Sequence, residues 1–72
     1  MTRNKVMVLL DMLMEHSELE SIQIGNMKII YNPYMNSGEW EVFCNGTTED
    51  YEAYSDIIEC AEMVLMELSD AR

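Results

Sequence analysis

The amino-acid sequence predicts an α+β domain with the order helix, three-stranded antiparallel meander, helix (α-β-β-β-α). Two observations carry this prediction. Near both ends of the chain, apolar residues recur every three or four positions, as they do in a helix with one buried face. Between these segments, apolar and polar residues alternate in short runs separated by glycine-containing turns, which is typical of half-buried strands. We expect both helices to pack on one face of the sheet, because two layers around one core bury all of these apolar faces.

The first helix is expected over residues 2–16, with the Thr2 side chain capping its first free amides. Two apolar residues, Val8 and Met12, are expected among acidic residues on the face toward solvent. The residues predicted to form its buried face are Val6, Leu9, Leu10, Leu13 and Met14.

Three strands are expected between the helices. Gly25-Asn26 suits a two-residue turn, so residues 21–32 are interpreted as a hairpin; one long strand with a glycine bulge at Gly25 is the alternative. A longer connection then leads to the third strand, residues 39–45. Alternation in this strand places Trp40, Val42 and Cys44 on one face and Glu39, Glu41 and Phe43 on the other.

The second helix is expected to begin within Thr47-Thr48-Glu49-Asp50 and to end near Ser69. A threonine side chain can cap the free amides there, and acidic residues in the first turn suit the positive end of the helix dipole. The residues predicted to form its buried face are Tyr54, Ile57, Ile58, Ala61, Val64, Leu65 and Leu68.

Length and composition indicate one folded domain, residues 1–72. A chain of 72 residues has room for a single core, and a hydrophobic fraction of 49% is too high for an intrinsically disordered chain. Cys44 and Cys60 are expected to be reduced and buried, since there is no cysteine-rich framework. No segment has the length of a membrane span or the pattern of a secretion signal, and we expect a cytoplasmic protein.

The net charge of −10, from 14 acidic residues against 4 basic ones, narrows the range of partners. Nucleic acids and anionic membranes are both bound through basic residues, so direct binding to either is not expected. A basic protein is the natural complement of this charge. Ordinary solubility is the alternative explanation and stays open at this point.

Sequence motifs of catalysis are missing. The chain has no GxSxG, HExxH, glycine-rich phosphate loop or CxxC motif. His16, the only histidine, falls at a helix end and is interpreted as a cap or surface residue. The acidic runs lack the spacing of an EF-hand loop. We therefore expect neither an enzyme nor a cofactor or metal site.

The predicted layout of helix, three strands and helix resembles that of the double-stranded-RNA-binding domain. That family contacts phosphates with lysines near the start of its second helix. This chain has Thr47-Thr48-Glu49-Asp50-Tyr51-Glu52 there, so the charge has the opposite sign. The resemblance covers the layout only, and no RNA-contacting residue is implied.

The reversed charge leads to our main functional hypothesis, a non-enzymatic inhibitor that mimics nucleic acid. A compact domain whose carboxylates lie about one helical turn apart can imitate a charged backbone and occupy the basic groove of a DNA- or RNA-handling protein. In size, charge and lack of enzyme motifs, the chain is similar to the small acidic anti-restriction and anti-CRISPR proteins of phages and mobile elements. The predicted partner-binding residues are Glu39, Glu41, Glu49, Asp50, Glu52, Asp56, Glu59, Glu62, Met63, Met66 and Glu67.

The alternative hypothesis is a small homo-oligomeric regulatory or adaptor protein, and it rests on methionine. The chain has 8 methionines, a residue that forms adaptable binding surfaces. Met7, Met14 and Met27 are expected in the core. A second group is harder to bury in a monomer and suggests an apolar interface, for example of a homodimer: Val8, Met12, Ile30, Phe43, Met63 and Met66.

Overall fold

The computed structural model describes residues 2–16, 18–44 and 50–70, with the side chain of Asp70 excepted. The α+β class is confirmed, but the antiparallel meander has four strands in the order β1-β2-β3-β4, not three. The elements are α1 (Arg3–Glu15), β1 (Ile22–Ile24), β2 (Met27–Asn32), β3 (Glu39–Cys44), β4 (Tyr51–Tyr54) and α2 (Ile57–Asp70). None of the helices in the described part of the chain is long and apolar enough to cross a membrane.

Helix α1 has the predicted N-terminal cap. The Thr2 Oγ1 accepts a hydrogen bond of 3.3 Å from the Lys5 amide, and the helix ends at His16, whose N–H donates to the Met12 carbonyl. The buried residues of α1 are Val6, Leu10 and Leu13. The prediction for Met14 is wrong: its side chain is exposed, because it lies about 100° around the helix from Leu13 and outside the arc that these three define.

The first two strands form the predicted hairpin. The register pairs Ile24 with Met27, so Gly25 and Asn26 form a two-residue turn, and the alternative of one long bulged strand is wrong. Gly25 has a φ of +58°, a conformation that suits glycine because it has no Cβ.

The predicted start of the second helix is wrong, because residues 51–54 form strand β4. Tyr51 pairs with Phe43 and Tyr54 pairs with Trp40 in an antiparallel ladder. The rings of Phe43 and Tyr51 lie 5.1 Å apart between centroids, and such aromatic cross-strand pairs stabilise a sheet. With this added strand, the layout also departs from that of the double-stranded-RNA-binding domain. Thr47, Thr48 and Glu49 lie outside the described residues.

Helix α2 begins after Asp56. The Asp56 Oδ1 accepts a hydrogen bond of 2.9 Å from the Ile58 amide, and the Asp56 carbonyl accepts one from the Cys60 amide. The buried residues of α2 are Cys60, Ala61 and Val64. Ile58, which the helical spacing placed on the buried face, is exposed.

One hydrophobic core joins residues from both helices and the first three strands. The two helices contact each other, α1 also contacts β2, and α2 also contacts β4. The expected packing of both helices on a three-stranded sheet is therefore not matched in detail, because α2 lies against the strand that the sequence did not predict. The buried core residues are Val6, Leu10, Leu13, Ile24, Met27, Ile29, Trp40, Val42, Cys60, Ala61 and Val64.

Candidate partner-binding surface

The exposed side of α2 carries carboxylates and methionines on the same surface. Cys60, Ala61 and Val64 define the buried side of the helix, and at about 100° per residue Glu59 and Met66 lie on the opposite side, with Met63 and Glu67 on the flank between. Glu59 and Met66 are exposed, the latter by 57%, whereas Met63 and Glu67 are half-buried. Acidic and apolar side chains therefore lie close together at these positions, and their role in binding a partner stays a prediction.

Strand β4 brings a further carboxylate to α2. Val42 pairs with Glu52, so the Glu52 side chain lies on the same face of the sheet as the buried Val42. Glu52 and Glu67 line one small cavity of about 30 Å³, together with Met63. This volume is large enough for about one water molecule. We call the surface formed by Glu52, Glu59, Met63, Met66 and Glu67 the acidic-methionine face.

The electrostatic effect of this surface is visible on two neighbouring side chains. Burial raises the pKa of the Cys44 thiol, and the negative charges of Glu67 and Glu52 raise it further. Burial likewise raises the pKa of the Tyr54 hydroxyl, followed by the effect of Glu52. Carboxylates from β4 and α2 thus raise the pKa of the same thiol, that of Cys44. Within the described ranges, no ion pair neutralises Glu52, Glu59 or Glu67.

Three other predicted partner-binding residues are not part of the acidic-methionine face. Glu62 is exposed and forms an ion pair of 3.8 Å with Arg3 of α1, a pair that solvent weakens. Asp56 caps α2, as described above. Asp50 is exposed immediately before β4. Glu49 lies outside the described residues.

The expectation that Glu39 and Glu41 lie on the acidic surface is wrong. Their side chains are only 4% and 7% exposed. In a three-stranded sheet β3 would be an edge strand, but the added β4 makes it a central one, flanked on both sides. The Asn36 Nδ2 donates a hydrogen bond of 2.9 Å to Glu39, and the Asn32 Nδ2 donates one of 3.4 Å to Glu41. Both carboxylates therefore accept hydrogen bonds within the sheet and its β2–β3 connection.

The apolar surface is divided between separate places. Val8 and Met12 of α1 are 58% and 43% exposed, as predicted. Val8 lines a groove of about 340 Å³ with Asn4, Lys5 and Leu9. Met27 is buried as expected, and Met7, Ile30 and Phe43 are half-buried. The residues of the predicted apolar interface therefore lie on several elements, with Val8 and Met12 on α1, Ile30 on β2 and Phe43 on β3.

Both cysteines are free thiols. Cys60 is fully buried, as predicted, whereas Cys44 is half-buried. Nowhere in residues 2–16, 18–44 and 50–70 do three histidine, cysteine or acidic side chains come close enough together to hold a metal ion.

Comparison with protein-family models, with curated proteins and with solved structures found no match to this chain. The interpretation of the surface therefore rests on the geometry and charge described above.

Proposed function

We propose that this protein works without catalysis, by binding a basic surface of another protein through the acidic-methionine face. The observation that carries the proposal is the convergence of Glu52 from β4 with Glu67 and Met63 from α2 around one cavity. Charge without local neutralisation attracts a basic partner over a distance, while methionine provides apolar contact that adapts to the partner's shape.

In its narrower form, the proposal is a nucleic-acid mimic of the anti-restriction or anti-CRISPR type, as made by phages and mobile elements. Glu59 and Glu67 are separated by about 12 Å along α2, at 1.5 Å per residue. Glu52 extends the row of charge onto the sheet. A partner with a groove for a nucleic-acid backbone would meet charge along this line, and binding would block the groove. Free thiols at Cys44 and Cys60 fit a reducing cytoplasm, the location that we propose.

The first experiment compares the wild type with the triple variant Glu52→Gln, Glu59→Gln and Glu67→Gln, both immobilised and exposed to the same bacterial lysate. Capture of a basic protein at about 50 mM NaCl, its loss at about 500 mM, and its absence on the variant would support the proposal. The matched control is Glu62→Gln, which removes a carboxylate that Arg3 already pairs with. A partner that binds the triple variant as tightly as the wild type contradicts the proposal.

The second experiment separates mimicry from other binding to a basic surface. Excess duplex DNA or RNA is added to the captured complex at low salt. If the acidic-methionine face occupies a nucleic-acid groove, the nucleic acid displaces the protein in proportion to its own affinity. If the complex persists while the partner binds nucleic acid at the same time, mimicry is wrong and the broader proposal stands.

A separate observation favours self-association as a second candidate. The exposed Val8 and Met12 lie on α1, where Lys5 lines a groove beside Val8. A homodimer through this helix would bury apolar surface and persist at high salt. Sedimentation equilibrium of the wild type and of the variant Val8→Ser with Met12→Ser tests it: a wild-type monomer at high protein concentration rules it out.

A further inference from the structure

Strand β4 is an edge of the sheet that the described residues form. In the order β1-β2-β3-β4, it pairs with β3 alone among the described strands. Tyr51, Glu52 and Ala53 are all exposed. In an edge strand, alternate N–H and C=O groups point away from the sheet without a partner. The outer side of β4 therefore presents backbone groups that another extended chain could pair with.

Proteins usually protect such an edge with a short strand, a charged side chain, proline or a bulge. β4 is short and has one charged residue, Glu52, but its sequence Tyr51-Glu52-Ala53-Tyr54 has no lysine or proline and its register with β3 is continuous. Its charge is acidic: Glu52 lies within it and Asp50 precedes it. This charge repels acidic chains and attracts basic ones, so the edge is selective in what it can pair with.

We propose that β4 accepts an extended basic segment of the partner protein as a fifth strand of the sheet. This inference rests on the proposed function and specifies how the partner would bind. Strand addition supplies backbone hydrogen bonds for affinity, while alternate side chains of the added strand supply specificity.

The two faces of β4 indicate which side chains that segment would carry. Glu52 and Tyr54 share the face toward α2, where Met63 and Glu67 lie. Tyr51 and Ala53 share the opposite face with Phe43. An added strand would therefore carry lysine or arginine on the side of α2 and apolar residues on the other side, in strict alternation.

A second copy of this chain fits the edge poorly. In the antiparallel register centred on Glu52, pairing β4 with β4 would place Glu52 opposite Glu52 of the other copy, and like charges directly opposite on paired strands are destabilising. Each chain also carries a net charge of −10. The charge thus favours a foreign basic segment over self-pairing.

The probe for the test is a short peptide of alternating lysine and valine, acetylated and amidated at its ends. The control peptide has the same sequence and charge, but its central lysine and valine are N-methylated. Because neighbouring N–H groups point to opposite sides of a strand, one methyl group blocks each edge of the peptide. Binding is measured by calorimetry and by hydrogen exchange of the backbone amides in residues 51–54.

We expect the unmodified peptide to bind about tenfold more tightly than the N-methylated one, since the methyl group on the edge that pairs with β4 removes about one hydrogen bond. It should also slow the exchange of the outward-facing amides of β4. Equal binding of both peptides, weakened equally by Glu52→Gln with Glu67→Gln, would overturn strand addition while supporting the proposed charge-driven binding. If neither peptide binds at about 50 mM NaCl, strand addition is wrong, whereas the proposed function is decided by the lysate capture described above.

Discussion

The indole Nε1 of Trp40 donates a hydrogen bond of 2.9 Å to the carbonyl oxygen of Leu10, and both residues are buried. This bond joins β3 to the middle of α1. The Trp40 ring also packs against Tyr31 of β2, with 5.1 Å between the ring centroids. One side chain thus connects the helix with two strands of the sheet.

Replacing Trp40 should show how much this connection contributes to the free energy of unfolding. We expect Trp40→Phe to lower the free energy of unfolding by about 1–3 kcal/mol, because it removes the indole donor and leaves unfilled volume in the core. Urea unfolding measures the change as a lower midpoint. The control is Tyr34→Phe, at a residue that is 92% exposed, and it should change the stability by less than about 0.5 kcal/mol.

Among the described residues, two glycines have a positive φ, and substitution by alanine should lower the free energy of unfolding by different amounts at the two positions. At Gly25 a Cβ would lie 2.8 Å from the Cδ2 of Leu68, which is the flexible end of a side chain; at Gly38 it would overlap the Tyr31 hydroxyl. We expect a loss of about 1 kcal/mol for Gly25→Ala and a larger one for Gly38→Ala, because Tyr31 is held by Trp40. Ser37→Gly, at a φ of 62°, should be neutral or stabilising, and urea unfolding measures all three variants.

Asp56 combines a structural role with a predicted binding role, and two substitutions separate them. Asp56→Ala removes the cap of α2 and should cost about 0.5–2 kcal/mol of stability. Asp56→Asn keeps a capping oxygen and removes the charge, so its stability should stay close to that of the wild type. If Asp56→Asn nevertheless weakens capture of a partner, the charge contributes to binding; equal stability losses in both variants would contradict the assignment of the cap.

The buried thiol of Cys60 should make stability depend on alkaline pH. Burial, with a contribution from Glu59, raises the pKa of this thiol from its usual 9.0 to about 12. The folded chain therefore keeps a proton that the unfolded chain releases, so the stability contributed by this group is fully present below pH 9 and is lost as the pH rises toward about 12. Urea unfolding across this window should show a smaller loss in Cys60→Ala than in the wild type.

The reactivity of Cys44 tests the acidic-methionine face without any partner. Because Glu67 and Glu52 raise the pKa of this thiol, Glu52→Gln with Glu67→Gln should lower it and speed alkylation by iodoacetamide at a mildly alkaline pH. Glu62→Gln, at the residue paired with Arg3, serves as the control and should leave the rate unchanged. An unchanged rate in the double variant would mean that these carboxylates do not act together at Cys44.

Much of the fold follows from the sequence wherever one period describes a segment. The helical spacing of Val6, Leu10 and Leu13 predicts α1, and the Gly25-Asn26 pair predicts the hairpin. The same reasoning does not predict strand β4. Tyr54 lies three residues before Ile57, so it continues the spacing of α2 backward, and four alternating residues are too few to decide between the two periods.

The candidate site was predictable to the extent that it lies on α2. Glu59, Met63, Met66 and Glu67 need only the helical repeat, whereas the position of Glu52 and the burial of Glu39 and Glu41 depend on β4. One local sign of the boundary was present in the sequence: Asp56 stands directly before an apolar run and is a good N-cap residue.

The order β1-β2-β3-β4 also has a consequence for how the chain folds. Every strand pairs only with its neighbour in the sequence, so the sheet can assemble hairpin by hairpin with short loops to close. The contact between α1 and α2 is different, because it joins the two ends of the chain. We expect docking of these helices to be the late step that completes the core, so that substitutions at the helix–helix contact chiefly accelerate unfolding, while those in the central hairpins slow folding.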